Sequence, residues 1–325
     1  MSVNVCVLKA GRMDWVRAIV LVALLSAIAV GGAPATPKVS LAATDRVQFY
    51  TSAWTGERTP DGRPKVADDI LRRMKNISIE DAWGVLRNEG FRNQFEGGWQ
   101  ILHQDVPVVG RALTAQYMPT RPDVKKMIDE GGKAEGRIGG SNSWPIDMLQ
   151  KGDVYVADGM GKIVDGTLIG DNLGNSIFAR SGNGVVFDGS VRDIEGLAEI
   201  EGFNAFVRGW DPSFIQEVML TGINVPIRIG RAICLPGDVV LAKREGVLFI
   251  PAHLAEKVVR TGEATVLRDR FGHQRLKEGK YTPGQIDSSW SKEIREDFFK
   301  WLEQNMNDLP VPKEAIQEML EKRSW

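Results

Sequence analysis

The run from Gly152 to Asp193 constrains the fold more than any other part of the chain. Val154-Tyr-Val-Ala157 is a short apolar stretch set between Gly152-Asp153 and Asp158-Gly159-Met160-Gly161, and it predicts a buried strand. A helix is predicted from about Asp171 to Arg180, and Gly184-Val-Val-Phe187 predicts the next strand, ending at Asp188-Gly189. Strand, helix and strand at this spacing form a βαβ unit, because parallel strands need a crossover of this length. The expected class is therefore α/β.

Flanking segments fill in the rest. Val66, Ile70, Leu71 and Met74 have helical spacing, and Ser78 with Asp81 three residues on is a capping-box variant opening a second helix whose buried face is Ile79, Ala82, Trp83 and Leu86. Strands are expected in 97–102 and 106–117, and again in 204–208, 225–229, 239–242 and 246–251. A helix with proline in its first turn starts at Pro251. Trp290, Ile294, Phe298, Trp301 and Leu302 share one face of a last amphipathic helix, a stripe expected to pack rather than to hold a cofactor. The polar, turn-rich stretch from Thr44 to Pro64 reads as an exposed arm. Residues 120–145, rich in glycine and charge, read as an inserted loop with one short helix over 124–129.

Lys9, Arg12 and Arg17 precede an apolar run from Ala18 to Val30 and the tripeptide Ala33-Pro34-Ala35. As a helix that run rises about 20 Å, short of the roughly 30 Å of a bilayer core, so a secretory signal over 1–35 is expected, with an uncleaved anchor as the alternative. The expectation is export, with membrane attachment only if the leader is retained. Of 325 residues 41 are basic and 42 acidic, so there is no basic excess to hold a polyphosphate backbone, and nucleic acid is not an expected partner. Cys234 would stand alone once Cys6 leaves with the leader, and is expected as a buried thiol. Chain length suggests two domains. Setting aside the leader and an arm over 36–75 leaves one core over 76–282 and a C-terminal helical extension over 283–325.

Several common site patterns are absent. Gly159-Met-Gly161 follows a strand, but Val164 stands where a dinucleotide fingerprint needs its third glycine. His103, His253 and His273 are scattered without metal-ligand spacing. The remaining candidate is Gly170-Asp171-Asn172-Leu173 with Arg192-Asp193, in which 20 residues separate Asp171 from Arg192. One helix plus one strand across that interval brings the helix start and the next strand's end to one sheet edge. Backbone N–H groups over 170–173 can hold a carboxylate, Arg192 offers a planar fork, and Asp193 suits Mg²⁺ or Mn²⁺. Spacing alone equally allows Asp171 to cap its helix and Arg192 with Asp193 to form a surface ion pair. The glycines near this edge, Gly159, Gly161, Gly170 and Gly189, are expected to permit close backbone approach.

Gly152-Asp-Val-Tyr-Val-Ala-Asp-Gly159, Gly170-Asp171, Gly184-Val-Val-Phe-Asp-Gly-Ser-Val-Arg-Asp193, Pro236-Gly-Asp-Val-Val and Gly246-Val-Leu-Phe-Ile-Pro251 together resemble the RraA-like family. That family includes ribonuclease regulators and class II 4-hydroxy-4-methyl-2-oxoglutarate (4-carboxy-4-hydroxy-2-oxoadipate) aldolases. Its aldolase branch carries D-X20-R-D, which Asp171, Arg192 and Asp193 satisfy. The resemblance implies an α/β/β swivelling core and assembly as a homotrimer or hexamer. It implies a small 2-oxo acid substrate and a divalent metal, Mg²⁺ or Mn²⁺. Gly170, Asp171, Asn172 and Leu173 would bind the pyruvyl carboxylate, Arg192 the pyruvyl group and Asp193 the metal, while Asp171 would hold a water beside the reacting carbon. An acidic residue from a neighbouring subunit completes the family's site. Counting back from Gly279, its match is Asp269, where the family usually has Glu. The implied function is a metal-dependent pyruvate aldolase, with oxaloacetate decarboxylation as a related activity. The alternative is a noncatalytic regulator that inhibits a ribonuclease complex.

Overall fold

The computed structural model describes residue 2 and residues 41–323; the expected leader over 1–35 lies outside them. A short helix α1 (Thr44–Tyr50) leads to α2 (Asp68–Met74) and α3 (Ile79–Asn88). Ser78 caps α3 by accepting the N–H of Asp81 at 3.0 Å, as its spacing predicts. Val85 rather than Trp83 joins the buried face of α3, and Trp83 is 40% exposed.

Two-residue strands β1 (Phe95–Glu96) and β2 (Gln100–Ile101) precede the long β3 (Val108–Pro119). The 120–145 insertion is more ordered than its glycines suggest. It holds α4 (Pro122–Ala134) and opens α5 (Trp144–Asp147), joined through a 3₁₀ turn at Ser141–Ser143. Pro122 and Asp123 suit the first turn of α4, and Lys125–Asp129 is an i,i+4 pair along it. Gly132 lies inside the helix because a Cβ there would overlap the Trp144 ring.

Next come β4 (Asp153–Thr167), α6 (Asp171–Ser181), β5 (Val185–Val191), α7 (Ile194–Ala198) and β6 (Ala205–Trp210). β7 (Val218–Ile223), the hairpin β8 (Ile227–Ile229) and β9 (Ala232–Cys234), and β10 (Val239–Lys243) with β11 (Gly246–Ile250) complete the strands. The chain ends in the long α8 (Ala255–Lys277), α9 (Pro283–Ile286), α10 (Lys292–Asn305) and α11 (Lys313–Lys322).

Among the described residues the main sheet runs β1-β11-β10-β3-β4-β5-β6-β2, with β7 added antiparallel on β3. β3, β4, β5 and β6 are mutually parallel, and Val156↔Val186 fixes the register across the predicted βαβ unit. Because successive side chains in a strand point to opposite faces, β4 feeds two cores. Tyr155 and Ala157 meet Phe187, Ile177 and Leu197 on the helical side, while Val154 and Val156 meet Ile227, Ile229 and Cys234 of the hairpin. Helices, sheet and hairpin form the layers of an α/β/β core. A third apolar cluster joins β10 and β11 to α2, α3 and α8.

The stretch expected as an exposed arm over 44–64 is anchored to the core at its end, where Thr59 and residues 62–64 are buried. Arg63 is 0% exposed; its guanidinium donates to Asp61 at 2.9 Å and to the buried Asp153 at 2.8 Å. Val66, Leu71 and Met74 are buried in the third cluster, and Leu41 in the helical-side core. Arg63 pairs with buried charge, while Asp45, Arg46, Gln48, Glu57 and Lys65 of the same stretch face water.

β4 also runs past Asp158 to Thr167, with irregular pairing to β5 and positive φ at Met160, Gly161 and Asp165. No helix follows Gly161, in keeping with the missing dinucleotide fingerprint. The C-terminal extension packs as its stripe predicts: Trp290, Ile294, Phe298, Trp301 and Leu302 are buried with Leu267 and Phe271 of α8. Cys234 is a buried thiol. No helix among the described residues is long and apolar enough to cross a membrane.

Candidate active site

The site grows from the outer ends of β4 and β5. Leu168 donates its N–H to the Ser190 carbonyl and Arg192 to that of Ile169, each at 3.0 Å, so residues 168–170 run beside 190–193. α6 starts there. Gly170 is its N-cap, with Gly174 donating back to the Gly170 carbonyl at 2.9 Å. Gly170 is extended, so its backbone angles suit any residue; the requirement is space, since a Cβ would overlap Oδ2 of Asp193 and stand 3.1 Å from Nε of Arg192.

Asp193 occupies the left-handed region (φ 56°, ψ 47°), which Asp tolerates better than most side chains, and it opens α7 by accepting the Leu197 N–H at 2.9 Å. This bend returns its carboxylate over Gly170. Arg192 Nε lies 3.4 Å from Asp193 Oδ2, and both side chains are 42% exposed. At that distance and exposure the pair is loose, and both groups remain open to a ligand. Asp171 is the first helical residue and not the cap. Its Oδ1 accepts the Asn172 N–H at 2.7 Å, and a Cβ on Gly196 of α7 would stand 2.7 Å from its Oδ2. Gly170 and Gly196 thus make room for the two carboxylates.

These residues meet in a cleft of about 180 Å³. Gly170, Asp171, Asn172, Leu173, Arg192 and Asp193 all line it, so every sequence-predicted site residue except Asp269 comes together. Asp269 lies on α8, where its charge acts on Asp81 of α3, and does not line the cleft. Six wall residues were not among the sequence candidates: Thr167, Leu168 and Ile169 lead into the helix start, and three more come from elsewhere. Asn142 comes from the 120–145 insertion, and Phe214 with Ile215 from the loop after β6. None carries a motif; they are brought in by the path of two connecting segments. Two larger depressions, about 450 Å³ beside Trp83 and Arg87 and about 730 Å³ among α2, α8 and α11, lack this set of helix start, arginine and paired carboxylates.

No cluster of three His, Cys, Asp or Glu side chains suited to a metal occurs among the described residues. The cleft instead presents two carboxylates, Asp171 and Asp193. That donor set fits a hard cation such as Mg²⁺, which binds through one or two carboxylates plus substrate oxygens and water. Behind the site, burial and neighbouring Asp188 hold the Asp158 carboxyl above its ordinary range, although the Met160 N–H partly offsets them. Asp188 in turn accepts from Arg208 Nε at 2.6 Å.

Comparison with known proteins agrees with this architecture. The sequence model described as RraA-like, Aldolase/RraA, matches residues 64–249. Protein DlpA of Legionella pneumophila is 27% identical over 71% of this chain, which spans only 34% of DlpA. The 4-hydroxy-4-methyl-2-oxoglutarate aldolase of Thermus thermophilus is 26% identical, covering 44% of this chain and 74% of that protein. Among solved structures, Streptomyces coelicolor RraAS2, described as an unusual member of the RNase ES inhibitor RraA protein family, superposes with a TM-score of 0.50 at 25% identity. The match covers 67% of this chain and 96% of RraAS2. The family match begins at Pro64, one residue after the buried Arg63, and includes the whole strand–helix–strand frame of the cleft. By that match and that frame, the chain belongs to the RraA-like family.

Proposed function

We propose that this protein is a divalent-cation-dependent carbon–carbon lyase that releases pyruvate from 4-hydroxy-2-oxo acids, with oxaloacetate decarboxylation as related chemistry. The observation that carries the reading is the meeting of the α6 start, Arg192, Asp193 and Asp171 in one small cleft. Relatives named as aldolases support it.

Retro-aldol cleavage breaks the bond between C3 and C4 and leaves its electron pair in a pyruvate enolate. The chain supplies what that charge needs. First-turn N–H groups of α6 orient the substrate carboxylate, and the Arg192 guanidinium stabilises the oxygen on which charge develops. Asp171 accepts the 4-hydroxyl proton, directly or through water, and the same proton can return to C3. Asp193, held over Gly170, would hold the divalent cation. When bound, such a cation supplies Lewis-acid stabilisation of the keto oxygen. No nucleophilic side chain is required.

The reading includes assembly as a homotrimer or hexamer, in which Asp269 of a neighbouring copy would complete the site, and export directed by residues 1–35. Purified protein with Mg²⁺ or Mn²⁺ should release pyruvate from 4-hydroxy-2-oxo acids or oxaloacetate. Activity that survives EDTA, or Arg192→Ala, would remove the proposed mechanism. The likeness to RraAS2 favours a second reading as a noncatalytic ribonuclease regulator. Inhibition of an RNase ES-type enzyme without any pyruvate release would put that reading first.

A further inference from the structure

Building on the lyase reading, we infer that the substrate's far substituent is neutral and apolar, in place of the second carboxylate carried by 4-hydroxy-4-methyl-2-oxoglutarate. The charges lining the cleft point this way. Among the described residues that line it, Arg192 is the one cation, against the carboxylates of Asp171 and Asp193. Arg192 is engaged by the pyruvyl end. With Asp193 taken up by the divalent cation of the lyase reading, a second substrate carboxylate would enter a wall with no side-chain cation left for it, beside the like charge of Asp171 and that of the Asp269 a neighbouring copy would supply, an arrangement that penalises the charged form.

The remaining wall suits an apolar group. Leu168, Leu173, Phe214 and Ile215 line the cleft, and the nearby amide of Asn142 already donates to the Leu168 carbonyl at 2.9 Å. Phe214 leaves 56% of its surface exposed at this edge. Its loop is nevertheless pinned to β4. Ser213 Oγ accepts the Asp165 N–H at 2.7 Å, and the N–H groups of Gln216 and Glu217 both donate to the Asp165 carbonyl at 3.0 Å. Ser213 is further braced by its own N–H to Asp211 at 2.9 Å. An exposed aromatic ring on a braced loop is a preorganised apolar contact, one that does not need ordering when a ligand arrives.

The test compares pyruvate release by the purified protein with Mg²⁺ from two probes. One is a 4-hydroxy-2-oxo acid bearing a 4-phenyl or 4-alkyl group; the other is 4-hydroxy-4-methyl-2-oxoglutarate. The apolar probe should show a kcat/KM higher by about tenfold or more, the scale on which an apolar pocket discriminates. Phe214→Arg should shift preference toward the dicarboxylate, and Phe214→Ala should lower kcat/KM for the apolar probe. A wild-type preference for the dicarboxylate would overturn this inference and leave the lyase reading standing. No pyruvate from either probe or from oxaloacetate would overturn both.

Discussion

The Asp193 carboxylate lies over Gly170 so closely that any Cβ at residue 170 would overlap Oδ2. The obstructing atom is the end of a half-exposed side chain, so Gly170→Ala can be accommodated by moving Asp193 without disturbing the strands beneath. That separates folding from function. The variant should melt within a few degrees of wild type, while kcat/KM for pyruvate release falls by about 10²-fold, the scale on which small misplacements of reacting groups act. Unchanged kinetics would show that the position of Asp193 is not used.

Arg63 and Asp153 form an ion pair with both side chains fully buried, and Arg111 Nε stands a further 3.6 Å from the same carboxylate. Removing Arg63 leaves the buried Asp153 charge with only the longer Arg111 contact and the Gln150 N–H at 2.9 Å. Arg63→Ala should therefore cost about 3–5 kcal/mol in urea denaturation. A loss below about 1 kcal/mol would mean that residues near 63 are held to the core by their apolar neighbours alone.

The parts of this fold and site that were readable in the sequence were those set by local chemistry. The apolar run Val154–Ala157, the crossover to Val185 and the spacing of Asp171, Arg192 and Asp193 lie within one supersecondary unit, where separation along the chain fixes separation in space. Arg63 was misleading because its partner Asp153 is 90 residues away, and a buried arginine and a solvated one look alike in sequence. β7 went unpredicted because its place depends on pairing with β3 across a register shift at Gln116/Tyr117. Phe214 and Asn142 reach the cleft from two separate connections, so no spacing rule could join them to Arg192. Gly159 does permit a close backbone approach, but the atom its Cβ would meet is the Asp188 carbonyl oxygen at 2.9 Å, not one lining the cleft. It leaves room for the neighbouring strand.

The aromatic stripe of α10 is part of the folded unit. Phe298 packs edge-on against Phe271 of α8 with ring centroids 5.3 Å apart, and Trp290 lies at the same distance from Phe271. Phe298→Ala should cost about 3–5 kcal/mol, the range for buried aromatic truncations. Ending the chain at residue 282 should expose Phe271 and Leu267, giving a lower Tm and increased binding of a hydrophobic dye. A truncated protein as stable as wild type would show that the extension contributes nothing to the core.

Asp238 gives stability a pH dependence opposite in sign to that of a salt-bridged aspartate. It is buried at the start of β10, where burial raises its carboxyl from 3.8 to about 7, and the Leu235 N–H at 2.8 Å offsets only part of that rise. Below about pH 4 this carboxyl is protonated in both folded and unfolded chains and contributes no difference. Between about pH 4 and 7 the unfolded chain releases the proton while the folded chain keeps it. Stability therefore falls as pH rises, by up to about 4 kcal/mol for a displacement of that size, and levels off above 7. Asp238→Asn retains an oxygen to accept the Leu235 N–H but cannot ionise. Its stability relative to wild type should therefore climb through this window, even though other carboxylates shape both curves. Urea denaturation of the two proteins at several pH values measures the difference, and a constant offset from pH 4 to 8 would show that Asp238 does not titrate in this range.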